Sequence, residues 1–147
     1  MEELARELGV AQHVRFLGDR HDIPDLLASS HIFALPTNWE GFPISILEGM
    51  RAGLPIIASD VGGVSEAVKD GITGFTVPAG RPREFAQKLS ILAGSAQLRQ
   101  DFGRAARLSY ERNFTRQLML DRTILVYSEI VPQLTAQVPV VYQETHS

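Results

Sequence analysis

The chain has 147 residues, 44% of them hydrophobic and 21% charged, with a formal net charge of −3. That balance fits one globular domain or a part of one. It argues against a surface for nucleic acid or anionic membrane, which needs clustered positive charge. The chain has no cysteine, which excludes a disulfide framework, thiolate metal ligands, a cysteine nucleophile and iron–sulfur chemistry, and suits a reducing cytoplasm.

In chain order, short apolar runs alternate with longer amphipathic stretches, the mark of βα units on a parallel sheet. No apolar run is long enough to span a bilayer. The opening MEELARELGV reads as an acidic helix rather than a signal peptide. That helix, over residues 2–8, closes at Gly9, and residues 14–17 are expected to form a short strand ending at Gly18. A helix over 22–29 follows, with Asp22 as its N-cap and Leu26 and Leu27 inward. Residues 32–35 read as a strand stopped by Pro36, and a polar loop leads from Thr37 to Gly41. The next helix spans 43–52 and stops at Gly53, a favourable residue just past a helix end. Residues 56–59 read as a buried parallel strand. Gly62 and Gly63 lead into a helix over 64–69, Asp70-Gly71 makes a turn, and 75–77 form a last short strand.

Helices then take over. Phe85, Leu89 and Leu92 share one helical face. Ser95 is placed to cap a second helix, with Leu98, Phe102 and Ala105 inward. Thr115 is placed to cap a third, whose apolar positions include Leu118, Leu125 and Ile130 and which ends before Pro132. The tail, 132–147, lacks periodicity and is expected to be loose. The predicted fold is α/β: a partial Rossmann-like parallel sheet of about four strands with helices on both faces.

Ligands on such sheets bind beyond the carboxyl ends of the strands. The richest candidate segment follows the 32–35 strand and reads PTNWEGFPISILE. A helix start there offers unpaired backbone N–H groups and partial positive charge, an anion site that needs no basic side chain. Gly41 lets the backbone approach a ligand. Pro43 lacks an N–H but pre-sets a first helical turn, so the free donors are expected at Ile44, Ser45 and Ile46. Glu40 and Glu48 bracket the segment. A carboxylate only accepts hydrogen bonds, which suits the paired hydroxyls of a ribose or hexose. Phosphate at the helix start with hydroxyls on each flank is the pattern of a sugar nucleotide.

Blander readings compete. Glu40 and Glu48 also read as solvated carboxylates, or as the acid and nucleophile of a glycosidase, though nothing suggests an apolar niche to raise one pKa. Gly62-Gly63 also reads as a tight turn alone, Glu66 as an exposed or capping carboxylate, and Trp39 either as a wall of a sugar pocket or as a loop anchor. His13, His21, His31 and His146 show no metal-ligand spacing.

Four stretches carry a resemblance: EGFPISILEGM with RAGLPIIAS, the later DVGGVSEAVKDGITGFTVP, the FLG at 16–18, and the Phe114-Thr115 pair. Together they resemble the C-terminal, donor-binding domain of retaining GT-B glycosyltransferases of group 1, family four, over roughly residues 1–131. The resemblance implies that Glu48 binds the donor ribose, that Glu40 is catalytic beside the transferred sugar, and that Gly41, Phe42, Pro43, Ile44 and Ser45 line the donor site. It implies that the loop with Gly18 borders the nucleobase and that Gly62 and Gly63 let the next loop pass close. It also implies a nucleotide-linked hexose as donor substrate, no cofactor and no bound metal.

The family's sheet has strand order 3-2-1-4-5-6, and the strands read here match its third to sixth. The resemblance therefore places the first two strands before Met1, with the Arg and Lys that neutralise the donor diphosphate, and the acceptor-binding N-terminal domain further upstream. From this follow weak donor affinity, no transfer by the chain alone, and docking of an N-terminal half polypeptide or self-association through an exposed strand edge. The complete enzyme would be cytoplasmic, or peripheral at the membrane. The alternatives are a non-catalytic nucleotide-sugar-binding or partner subunit completing a split enzyme, and a GT-B sugar-nucleotide epimerase, against which the EGFP…E arrangement argues.

Overall fold

The computed structural model describes residues 1–130. Helix α1 (Glu2–Glu7) leads into one 3₁₀ turn (Ala11–His13), then α2 (Ile23–Ala28) and strand β1 (Phe33–Leu35). Helix α3 (Ile44–Arg51) completes a βα unit with β1, and two more follow: β2 (Ile56–Asp60) with α4 (Val64–Ala67), and β3 (Gly74–Pro78) with α5 (Pro82–Gly94). Helices α6 (Ala96–Asn113) and α7 (Arg116–Ile130) close the described part.

The sheet is parallel, in the order β1-β2-β3. Its centre is β2, where Ile57 lies in register with Ala34 on one side and Phe75 on the other. Side chains alternate across a strand, so β2 feeds two cores. Ile56 and Ala58 pack with Ile46 and Met50 of α3 and with Val64 and Ala67 of α4. Ile57 points the other way, to Phe75, Leu92 and Phe102. Burying each such aliphatic side chain is worth about 1.5–3 kcal/mol.

Helix α6 fixes the carboxyl end of α3. Gly103 lies against the Gly53 carbonyl so closely that a Cβ would overlap it. The Arg107 guanidinium donates to the Arg51 carbonyl at the end of α3, where a cation also meets the negative end of the helix dipole. Both expected serine and threonine caps form: Ser95 Oγ accepts from the Leu98 N–H at 3.2 Å, and Thr115 Oγ1 from the Leu118 N–H at 3.3 Å.

Several expectations need correcting. The strand over 14–17 does not form, so the described sheet has three strands, not four. The backbone is already extended at Val14 (φ −117°, ψ 129°), but a strand exists only through a ladder with a neighbour. No strand pairs with residues 14–17 among the described residues, and Val14, Phe16 and Leu17 stay exposed. Asp22 holds the N-cap position of α2 without capping it, because Arg20 takes its carboxylate in an ion pair. On α6 the fully buried alanine is Ala106, four residues after the buried Phe102 on the same face, with Ala105 only half-buried. Helix α4 stops at Ala67, where Val68 turns extended. On α7, Leu118 is half-buried but Leu125 is exposed. The tail after Pro132 lies outside the described residues.

Candidate functional site

The segment between β1 and α3 is built by short-range chemistry. Pro36 cannot donate to a ladder and ends β1. The Thr37 hydroxyl then folds the loop back, donating to the Trp39 carbonyl at 3.0 Å and accepting from the Trp39 N–H at 3.4 Å. Trp39 is left 82% exposed. Glu40 is half-buried, Gly41 exposed and Phe42 half-buried against the core beneath α3.

Pro43 is the N-cap of α3, not its first residue, with φ −75° and ψ 107°. Among the described residues no side chain caps this end. The N–H groups of Ile44 and Ser45 therefore lie in the first turn, where a helix has no partner of its own to offer them. Ile46, expected as a third free donor, is already bonded to the Pro43 carbonyl at 3.1 Å. The open tip of α3 thus stands beyond the carboxyl end of β1 with two amides and the positive end of the helix dipole.

The two carboxylates differ in setting. Glu48 lies on the outer face of α3, one turn after the 65% exposed Ile44, while Ile46, Gly49 and Met50 face the core. Glu40 lies in the loop before the tip. Neither is spent on an ion pair among the described residues, so both remain available as acceptors.

Gly18 lies in the loop before α2, with open space where a Cβ would be, and α2 packs against α3. Beside that loop, the Arg20 guanidinium holds the Asp22 carboxyl below its ordinary value. Gly62 and Gly63, read either as a turn or as neighbours of the site, are brought directly under the Glu40–Phe42 loop. Glu66, on α4, is exposed, as are His13, His21 and His31. Among the described residues no group of His, Asp and Glu gathers that would hold a metal ion, and no helix is long and apolar enough to cross a membrane. A groove of about 620 Å³ lies at the other end of α3 between Gly53, Gly103 and Arg107. Its arginines are engaged there: Arg104 with Asp101, Arg107 with Glu111 and the Arg51 carbonyl.

Two contributors were missed in the sequence. Thr37 shapes the loop, and a hydroxyl two residues before Trp39 was the available signal. Phe114, singled out in the sequence only as part of the Phe114-Thr115 pair, lies beside Phe42, with ring centroids 6.1 Å apart, a contact that pair does not report.

A parallel sheet with helices packed on both faces is the architecture of doubly wound α/β domains. The family model described as glycosyl transferases group 1 matches residues 1–109, and the chain belongs to that family. It is 31% identical over 137 residues to the D-inositol 3-phosphate glycosyltransferase of Kribbella flavida, covering 92% of this chain and 32% of that protein. Among solved structures, a glycosyltransferase from Rickettsia africae superposes with a TM-score of 0.85 at 29% identity, over 90% of this chain and 36% of the other. Anabaena HepE in complex with UDP-glucose gives 0.75 at 27% identity, over 92% and 35%. The fold is that of GT-B glycosyltransferases, and the chain spans about a third or less of the length of the curated relatives it matches.

Proposed function

We propose that this chain carries the donor half of a glycosyl-transfer site and binds a nucleotide-linked hexose. The observation that carries the reading is the start of α3, uncapped among the described residues, with Glu40 before it and Glu48 after it in the chain, neither in an ion pair among those residues. The Ile44 and Ser45 amides take the diphosphate, Glu48 accepts from the ribose hydroxyls, and the backbone from Gly41 to Ser45 meets the sugar. Glu40 stands beside the anomeric carbon. Transfer proceeds with retention: the C1–O bond to the diphosphate breaks, the acceptor oxygen bonds C1 from the same face, and its proton passes to the departing phosphate. HepE, which was crystallised with UDP-glucose, supports the donor class.

A helix tip contributes only about 0.3–1 kcal/mol per exposed anion, against about 1.5–3 kcal/mol for each charge-assisted bond to Arg or Lys. Donor affinity of this chain alone is therefore weak, and the acceptor and further donor contacts come from polypeptide outside these residues. Met1, Leu4, Leu8, Val10, Val14, Phe16 and Leu17 are all exposed, and β1 is paired on one side only among the described residues. That apolar surface and free edge are where the remaining polypeptide docks.

The test is kinetic, in a complete enzyme carrying this domain. Glu48→Ala mainly raises the donor KM, and Glu40→Ala mainly lowers kcat. Unchanged kinetics in both variants would remove the assignment.

A further inference from the structure

We propose that Gly62, Gly63 and Phe114 are positioning residues, forming a seat that fixes the Glu40–Phe42 loop beside the tip of α3. The proposal rests on the donor-site reading and adds what holds that site's loop in place. After β2 the chain turns under the loop. Gly62 has φ +52°, and a Cβ there would overlap the Glu40 carbonyl oxygen and come within 2.7 Å of the Gly41 carbonyl oxygen. The Gly63 N–H donates to that same Gly41 carbonyl at 2.6 Å. A Cβ on Gly63 would stand 2.7 Å from Phe42 Cδ2. Beyond Gly63, the Phe42 ring meets Phe114 at the corner between α6 and α7.

Two neighbouring loops thus approach so closely that neither glycine has room for a methyl group. The contact falls on the backbone of Glu40 and Gly41, so any side chain at Gly62 moves the carboxylate that stands beside the sugar. A loop ordered before the ligand arrives removes the ordering cost from binding, and a misplacement of about 1 Å at a reacting group is worth about a hundredfold in rate. Phe114 carries the same constraint to a distant element: it braces the ring that follows Gly41.

The experiment uses the isotope-labelled full chain, with UDP-glucose and UDP as probes in nuclear magnetic resonance titrations. Gly62→Ala and Gly63→Ala are compared with Gly80→Ala. Gly80 has φ +74° but nothing near its Cβ position, so that variant carries backbone strain without touching the loop. Gly62→Ala and Gly63→Ala should weaken UDP-glucose by about tenfold or more while UDP changes much less, so the ratio of the two affinities falls. Gly80→Ala leaves the ratio intact. Phe114→Leu lowers it, and Phe114→Tyr restores it. An unchanged ratio in both loop glycine variants overturns the proposal. Amide exchange supplies a second arm that needs neither ligand nor a stable Gly63 variant. The Gly63 amide should be protected in the unaltered chain, and Gly62→Ala should speed its exchange while Ile57 and Ala58 in β2 hold theirs. An unprotected Gly63 amide, or one indifferent to Gly62→Ala, overturns the seat. Should neither probe bind the unaltered chain, the donor reading falls, and amide exchange alone decides the seat.

Discussion

Residues 1–18 and the block from β1 to α6 carry similar apolar side chains, yet only the block buries them. In the block, Ile56 and Ile57 diverge from one strand into two cores, and Met50, Val64 and Leu92 are fully enclosed. In the first eighteen residues Ala5 alone is buried, and Phe16 is 49% exposed. The difference lies in partners rather than composition. The extended backbone at Val14 is ready for a ladder, but no strand pairs with it among the described residues. Local preference can place a segment in strand geometry, and only a second strand makes it one.

The sharpest way to break this contrast is to truncate one residue in each region. Met50→Ala leaves a cavity under the sheet and should cost about 2–5 kcal/mol in urea unfolding. Phe16→Ala should stay within about 0.5 kcal/mol, as at a surface site. Comparable losses would mean that the first segment belongs to the same core. Next in size is Gly103→Ala, which forces α6 off the Gly53 carbonyl and should cost about 1–3 kcal/mol by the same measurement. A loss near zero would show that the α3–α6 contact yields freely.

What was legible in the sequence follows the same division. The Ser95 and Thr115 caps were readable because each acts on an amide three residues away. The β2 strand was readable because a buried parallel strand is apolar on both faces. The loop and open helix start at Pro36–Ser45 were readable for the same local reasons, although Ile46 proved to be bonded to the Pro43 carbonyl. The strand over 14–17 was not readable as absent, since pairing is decided elsewhere in the chain. Asp22 failed as a cap because Arg20, two residues earlier, offered a stronger partner. The seat beneath the Glu40 loop joins residues twenty and more positions apart, and no periodicity reports such a contact.

Smaller effects sharpen the picture at its edge. Exposed apolar side chains and a free strand edge both favour association. Light scattering should find the chain self-associated, and Val14→Ser combined with Phe16→Ser should shift it toward the monomer mass. A monodisperse monomer before any substitution contradicts the exposed-edge reading. Smallest is the Arg20–Asp22 pair. Arg20 lowers the Asp22 carboxyl in the folded chain, so its stabilisation is present above the unfolded value near 3.8 and disappears as pH falls through the lower folded value. Asp22→Asn should therefore be slightly less stable than the original near about pH 6, with the gap closing near about pH 2. A gap that widens in acid would reverse the sign of the pair.

The central claim is that the open tip of α3 grips a sugar nucleotide's diphosphate. It is tested most directly by titrating the isotope-labelled chain with UDP-glucose and following its amide signals. Saturable shifts centred on Ile44 and Ser45, accompanied by the indole of Trp39, the chain's single tryptophan, are the expected result. Signals of Ile44 and Ser45 that stay fixed up to about 10 mM ligand, a concentration that reveals even a binding free energy near −3 kcal/mol, would contradict it.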